Sequence, residues 1–212
     1  MSAQIRSGNS TDLLTVDPIS KAARVTLYKP DGTEVFPAAL PVAYRISSYV
    51  MSLGVLAAGS CIFSLANPTG SGKEIQITRA MANLAFSGTA AATFAAFGMM
   101  RATGTAAGGT ASKSGASISK RLPSSANSIA LITYGPAVVT GLTQDAAGQV
   151  RSIILPHQNG VCLDMDLLGN VPHTEADTDA TIIVPGTAWS AWVANATIAG
   201  DLLALNVEWL EK

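Results

Sequence analysis

Charge is scarce in this 212-residue chain. Lys, Arg, Asp and Glu together make up 13%, about half the ~25% of an ordinary soluble domain. Aromatic residues are 6%, and there are two histidines and two cysteines. Each scarcity excludes something. A disordered chain combines low hydrophobicity with high net charge, whereas here 48% is hydrophobic and the net charge is −1. Two distant cysteines, Cys61 and Cys162, make no disulfide framework. They lack the Cys-x-x-Cys spacing of a zinc site, and the bland expectation is two buried thiols. A nucleic-acid module needs a basic excess that is missing. Catalytic side chains are few, so the expectation is a protein that is not an enzyme and takes no cofactor. A surface this poor in charge predicts cover by other subunits.

The near-neutral total hides a gradient. Residues 1–151 carry 12 Lys/Arg against 6 Asp/Glu, and residues 152–212 carry Lys212 against 8 acids. Opposite charges at the two ends favour self-association and help to set its register. The first residues are polar and lack the apolar core of a signal peptide, which predicts synthesis in a reducing cytosol. Residues 46–72 and 80–100 contain no charge at all. Ser52, Gly54, Gly59 and Ser60 cut the first stretch into strand-length runs, and neither has a basic flank, so no membrane span is expected.

Length predicts one domain, or one domain with an arm. Four of the 10 prolines fall in residues 1–48, which read as an extended N-terminal arm. Within it Val25 and Leu27 alternate with Thr26, and Lys29-Pro30-Asp31-Gly32 supplies a hairpin turn. The remainder, 49–212, reads as strand and turn. Leu53–Leu56 and Cys61–Leu65 are short apolar runs. Glu74–Arg79 alternates, and Thr93–Arg101 sets Phe94 and Phe97 on opposite faces. Residues 102–128, rich in Gly, Ser, Ala and Thr, read as a long loop. Strands are expected again at Ile129–Thr133, Val150–Leu155, Val161–Leu167, Ile182–Val184 and Trp189–Ala194. Residues 169–180 form a polar, acidic loop. Leu203, Leu205, Val207 and Trp209 then alternate with Ala204, Asn206 and Glu208 in a final strand, read as the second arm of a hairpin. The fold class is all-β, a β-sandwich or jelly-roll-like domain behind an N-terminal arm. Alanine leaves a helix open for 80–100.

Three patterns could carry chemistry. Asn67–Lys73 resembles a phosphate loop, but the pattern's first Gly is Asn67 and the hydroxyl after the lysine is Glu74, so a hairpin turn is expected. His157 and His173 each follow a proline in a loop, with no Gly-x-Ser-x-Gly elbow anywhere. Asp164, Asp166, Glu175, Asp177 and Asp179 could gather calcium or form a carboxylate pair, yet no Asp-x-Asp-x-Asp-Gly loop exists. Trp189 and Trp192 are the aromatics available to stack on a sugar. Lys113, Lys120 and Arg121 lack aromatic neighbours for single-stranded nucleic acid, and contact with an acidic neighbour is expected instead.

The opening Ile5–Asp12, Leu14–Asp17 and Ala22–Val25, with Arg101–Gly104, Gly108–Thr110 and Leu205–Trp209, resembles structural proteins of tailed-bacteriophage virions. The resemblance implies a non-enzymatic capsid decoration, or cement, protein on the capsid surface, made in the host cytoplasm. It implies a homo-oligomer, expected as a trimer, whose partner is the major capsid protein, with no nucleic acid or membrane. Arg6, Leu14, Val16, Arg24, Val25, Leu27 and Tyr28 of the arm, with Lys120 and Arg121, are the expected contact residues. Alternatives are a tail, collar or baseplate component, or a host-glycan-binding module.

Overall fold

The computed structural model describes residues 15–16, 23–24, 42–168 and 182–212. Two units separate along the chain, residues 1–40 and 41–212. In the first, β1 (Thr15–Val16) pairs antiparallel with β2 (Ala23–Arg24), Thr15 opposite Arg24. The hairpin expected around Lys29–Gly32 lies outside the described residues.

The second unit is all-β, two sheets packed on one core. Its strands are β3 (Val42–Ser47), β4 (Met51–Ser52), β5 (Cys61–Ala66), β6 (Ile75–Phe86) and β7 (Phe94–Gly108). Then come β8 (Ala111–Gly115), β9 (Ser119–Lys120), β10 (Ser128–Pro156) and β11 (Cys162–Asp166). The last three are β12 (Ile182–Ile183), β13 (Thr187–Asn195) and β14 (Asp201–Glu211). A seven-stranded sheet runs β11-β6-β14-β3-β9, with β12 on β6 and β4 on β14. A five-stranded sheet runs β5-β13-β7-β10-β8, and β5 also pairs with β10. Every pairing is antiparallel.

The alternation read in β14 holds. Leu203, Leu205, Val207 and Trp209 are buried between the sheets, and Tyr44 of β3 stacks on Trp209 at 5.9 Å. Residues 80–86 and 94–100 are strand, in β6 and β7, and the connection between them is not helical. Ala80, Ala82, Leu84 and Phe86 alternate inward on β6, which β14 and β11 flank. Pairing on both sides and burial of one face outweigh alanine's weak helical preference. β5 and β13 are buried on both faces for much of their length. One face meets the main core, and the other meets a small cluster of Cys61, Ala102, Val139 and Trp192. That cluster exists because β5, β13, β7 and β10 form a closed circuit of pairings.

Several expectations are corrected. Residues 42–47, expected in the arm, form β3, because Tyr44 is needed against Trp209. Leu53–Leu56 is a loop whose amides bond to the 197–201 region, and the paired residues are Met51 and Ser52. The supposed loop 102–128 continues β7 to Gly108 and adds β8 and β9. Its small residues permit close backbone crossing. A Cβ on Gly104, which has φ +107°, would lie within 2.4 Å of the Gly141 carbonyl. The runs at 129–133 and 150–155 belong to one bent strand, β10, which shifts register against β8 between Ser128 and Leu131 and against β5 and β7 between Tyr134 and Arg151. Asn67–Lys73 is no hairpin turn, since it carries the chain from the five-stranded to the seven-stranded sheet. Nor do β13 and β14 form a hairpin, because they too lie in different sheets. Cys61 is buried as expected, but Cys162 is exposed on β11.

Candidate functional site

β14 carries an acid at each end, and both acids are buried. At its start Asp201 is 0% exposed and faces His157, which is 1% exposed. His157 Nε2 lies 3.1 Å from both carboxylate oxygens of Asp201. Oδ2 of Asp201 also accepts the Ile198 N–H at 2.8 Å. The other ring nitrogen, Nδ1, shares a 2.8 Å hydrogen bond with the Thr93 hydroxyl. Nε2–H is thus given to the carboxylate, while Nδ1 faces the Thr93 hydroxyl. Phe86 packs on the imidazole with centroids 5.0 Å apart.

This hydroxyl–imidazole–carboxylate row has the components of a nucleophilic site. The row also ties the two sheets together. His157 follows the end of β10, Asp201 opens β14, and the pair joins one sheet to the other. The His157 backbone bonds on both sides to the loop before β7, to Thr93 and Ala91. Spacing gave no hint of it, because 44 residues separate the partners.

At the far end of β14, Glu211 Oε1 accepts from Ser128 Oγ at 2.5 Å and from the Ile129 N–H at 3.0 Å. Trp209 Nε1 lies 3.4 Å away, and Lys73 Nζ is 3.8 Å from Oε2. Ser128 opens β10, so the two ends of β14 are tied to the two ends of β10. Burial, then the Glu211 charge, push the Tyr44 phenol above its usual range. Tyr44 donates its hydroxyl to the Ala126 carbonyl at 2.9 Å.

The tethered sandwich presents two edges of unlike character. On one, Tyr49 and Val50 interrupt the β3–β4 line beside β14. They are 71% and 70% exposed. Tyr49 has φ 57°, a left-handed conformation that costs a bulky residue about 1 kcal/mol or more. Lys120 and Arg121, expected contact residues, lie on this same side. Lys120 donates to the Ser125 carbonyl and Asn127 Oδ1, so its charge is held within its own loop. Arg121 is exposed, and its N–H extends the ladder to the Ala43 carbonyl.

The opposite edge, β11, exposes Cys162, Asp164 and Asp166. Asn83 Nδ2 bonds Asp164 Oδ1, and Asn83 Oδ1 accepts from Asn206. These groups border a shallow depression of about 320 Å³ with Arg79 and Glu208. Among the described residues no three of His, Cys, Asp and Glu gather as metal ligands. Glu175, Asp177, Asp179 and His173 lie outside the described residues. So do Arg6, Leu14, Val25, Leu27 and Tyr28. Val16 and Arg24 are described only as paired backbone in β1 and β2.

The resemblance to a phosphate loop has a structural explanation. Asn67 is buried and its amide donates to the carbonyls of Lys73 and Ile183, both at 2.8 Å, while Ser71 donates to its Oδ1. Trp189 and Trp192 are both buried, so neither offers a face to a sugar. No helix of the described residues is long and apolar enough to cross a membrane. Comparison with known proteins finds no matching family model, no similar curated protein and no similar solved structure.

Proposed function

We propose that this chain is a non-enzymatic structural protein of a tailed-bacteriophage virion. In this reading it is a capsid decoration protein that sits on the head exterior as a homotrimer and bridges neighbouring coat subunits. The observation that carries the reading is the strand order. Taking β3–β4 and β11–β12 as single interrupted strands, eight main strands follow one another along the chain. One sheet then runs first, eighth, third, sixth, and the other second, seventh, fourth, fifth. That interleaving supports a jelly roll, an architecture shared by viral capsid and lectin domains. The step from fold to role is an analogy.

Two further features support a binding role. Tyr49 and Val50 project from an edge, and Tyr49 holds a left-handed conformation that a free surface does not need. The inter-sheet ties at both ends of β14 anchor the strand beside that edge, and pre-organisation lowers the entropic cost of docking. Weak contacts of this kind add up when repeated across a lattice.

Quantitative mass spectrometry of purified phage particles tests the reading. A copy number near that of the major coat protein, or one copy for every few coat subunits, is the expected result. A few to a few tens of copies per particle moves the chain to the tail or collar. Absence from particles overturns the virion reading.

A further inference from the structure

The seven-stranded sheet is charged oppositely at its two edges. β11 shows Asp164 and Asp166 two residues apart, both exposed. The other edge shows Arg121, with Arg45 one strand inward on β3, opposite Ser119. β11 pairs with β6 and β9 pairs with β3; among the described residues, neither has a second strand partner. An edge strand is a template for another strand unless something covers it.

Direction matters as much as charge. β11, β14 and β9 all run the same way, because each neighbour in the order β11-β6-β14-β3-β9 is antiparallel. Rotating a copy about an axis along the strands therefore sets its β11 parallel to β9 of the copy beside it. In that arrangement a register with Asp164 beside Arg121 also sets Cys162 beside Ser119.

We propose that copies of this chain associate head to tail through these edges, the acidic β11 edge of one against the basic β3–β9 edge of the next. The inference rests on the homo-oligomer of the preceding reading and names its contact. The contact is heterologous, so it closes into a ring when the rotation permits. Tyr49 and Val50 lie on the basic side and supply apolar area beside the charges. Strand addition supplies main-chain hydrogen bonds, and the charges select acidic edge for basic edge.

The test uses the purified full-length chain, with sedimentation velocity at low salt as the readout. Asp164→Lys alone and Arg121→Glu alone each place like charges together, and each weakens self-association by about tenfold or more. Both substitutions in one chain restore it, because every contact again joins opposite charges. Restoration also shows that neither substitution unfolds the chain. Under mild oxidation, Ser119→Cys yields a covalent ladder beyond dimers through Cys162. An oligomer indifferent to both charge reversals overturns the edge contact but leaves the homo-oligomer standing. A wild-type monomer overturns both. Oxidised dimers formed as readily without the Ser119 substitution, and no ladder with it, indicate a symmetric β11 contact and overturn the proposal.

Discussion

Replacing Asp201 with alanine removes the centre of the tie between β14 and the end of β10. His157 Nε2 loses its acceptor at 3.1 Å, and the Ile198 N–H loses one at 2.8 Å. Both histidine and carboxylate are within 1% of complete burial, so water does not replace the lost partner. Each buried donor left without an acceptor costs about 1–3 kcal/mol, so the two cost about 2–6 kcal/mol. For a domain of this size each kcal/mol lowers Tm by about 2–4 °C, which gives a fall of roughly 4–24 °C. The internal comparison is Arg101–Asp145, an ion pair at 3.5 Å whose side chains are 38% and 37% exposed. Solvent screening limits such a pair to about 0–1 kcal/mol, so Asp145→Ala shifts Tm by no more than about 4 °C. Thermal and urea unfolding can both be followed by the fluorescence of the buried Trp189, Trp192 and Trp209. The reasoning is refuted if Asp201→Ala costs no more than Asp145→Ala. A double-mutant cycle with His157→Ala should give a coupling of about 1–3 kcal/mol, since the two residues share one network.

Three other outcomes are expected. Gly104→Ala destabilises by about 2 kcal/mol or more, because φ is +107° and the new Cβ meets the Gly141 carbonyl at 2.4 Å; urea midpoints measure it. Tyr49→Gly relieves a left-handed backbone at an exposed site, so it raises folding stability by up to about 1 kcal/mol while weakening self-association in the same preparation. A maleimide probe labels Cys162 in the native protein, whereas Cys61 reacts only on unfolding, because burial pushes its thiol up to about 12. The same shift predicts an alkaline effect. The folded state keeps the Cys61 proton longer than the unfolded state, so this residue's contribution is intact below pH 9 and is lost as pH rises from 9 to about 12. Cys61→Val should flatten that part of the stability profile by about one proton.

Local pattern by itself determined a good deal. Alternation located β14, β11 and the first half of β6, because a half-buried strand imposes a two-residue period on its own sequence. The turn cluster of Asn67–Gly72 was legible too, although the hairpin expected from it is a crossing between sheets. What the sequence could not show is which strand each segment would pair with. Ala80–Met100 is ambiguous alone, and its two ends become strand because β6 and β7 have partners on both sides. Residues 102–109 look like a flexible loop because glycine and alanine carry no period. Their small size is set by a backbone crossing with residues 133–142, up to 38 positions away in sequence. The two apparent hairpins at 61–86 and 187–211 are crossings between sheets, a choice made by the core and not by the turns. The polar ties depend on the same long-range closure. Thr93, His157 and Asp201 meet, as do Ser128 and Glu211, only after both sheets have formed. The charge gradient was visible along the chain, but the placing of Asp164 and Asp166 on one edge of a sheet and of Lys120 on the other was not. Strand order decided that, since it places β11 and β9 at the two ends of the same hydrogen-bonded row.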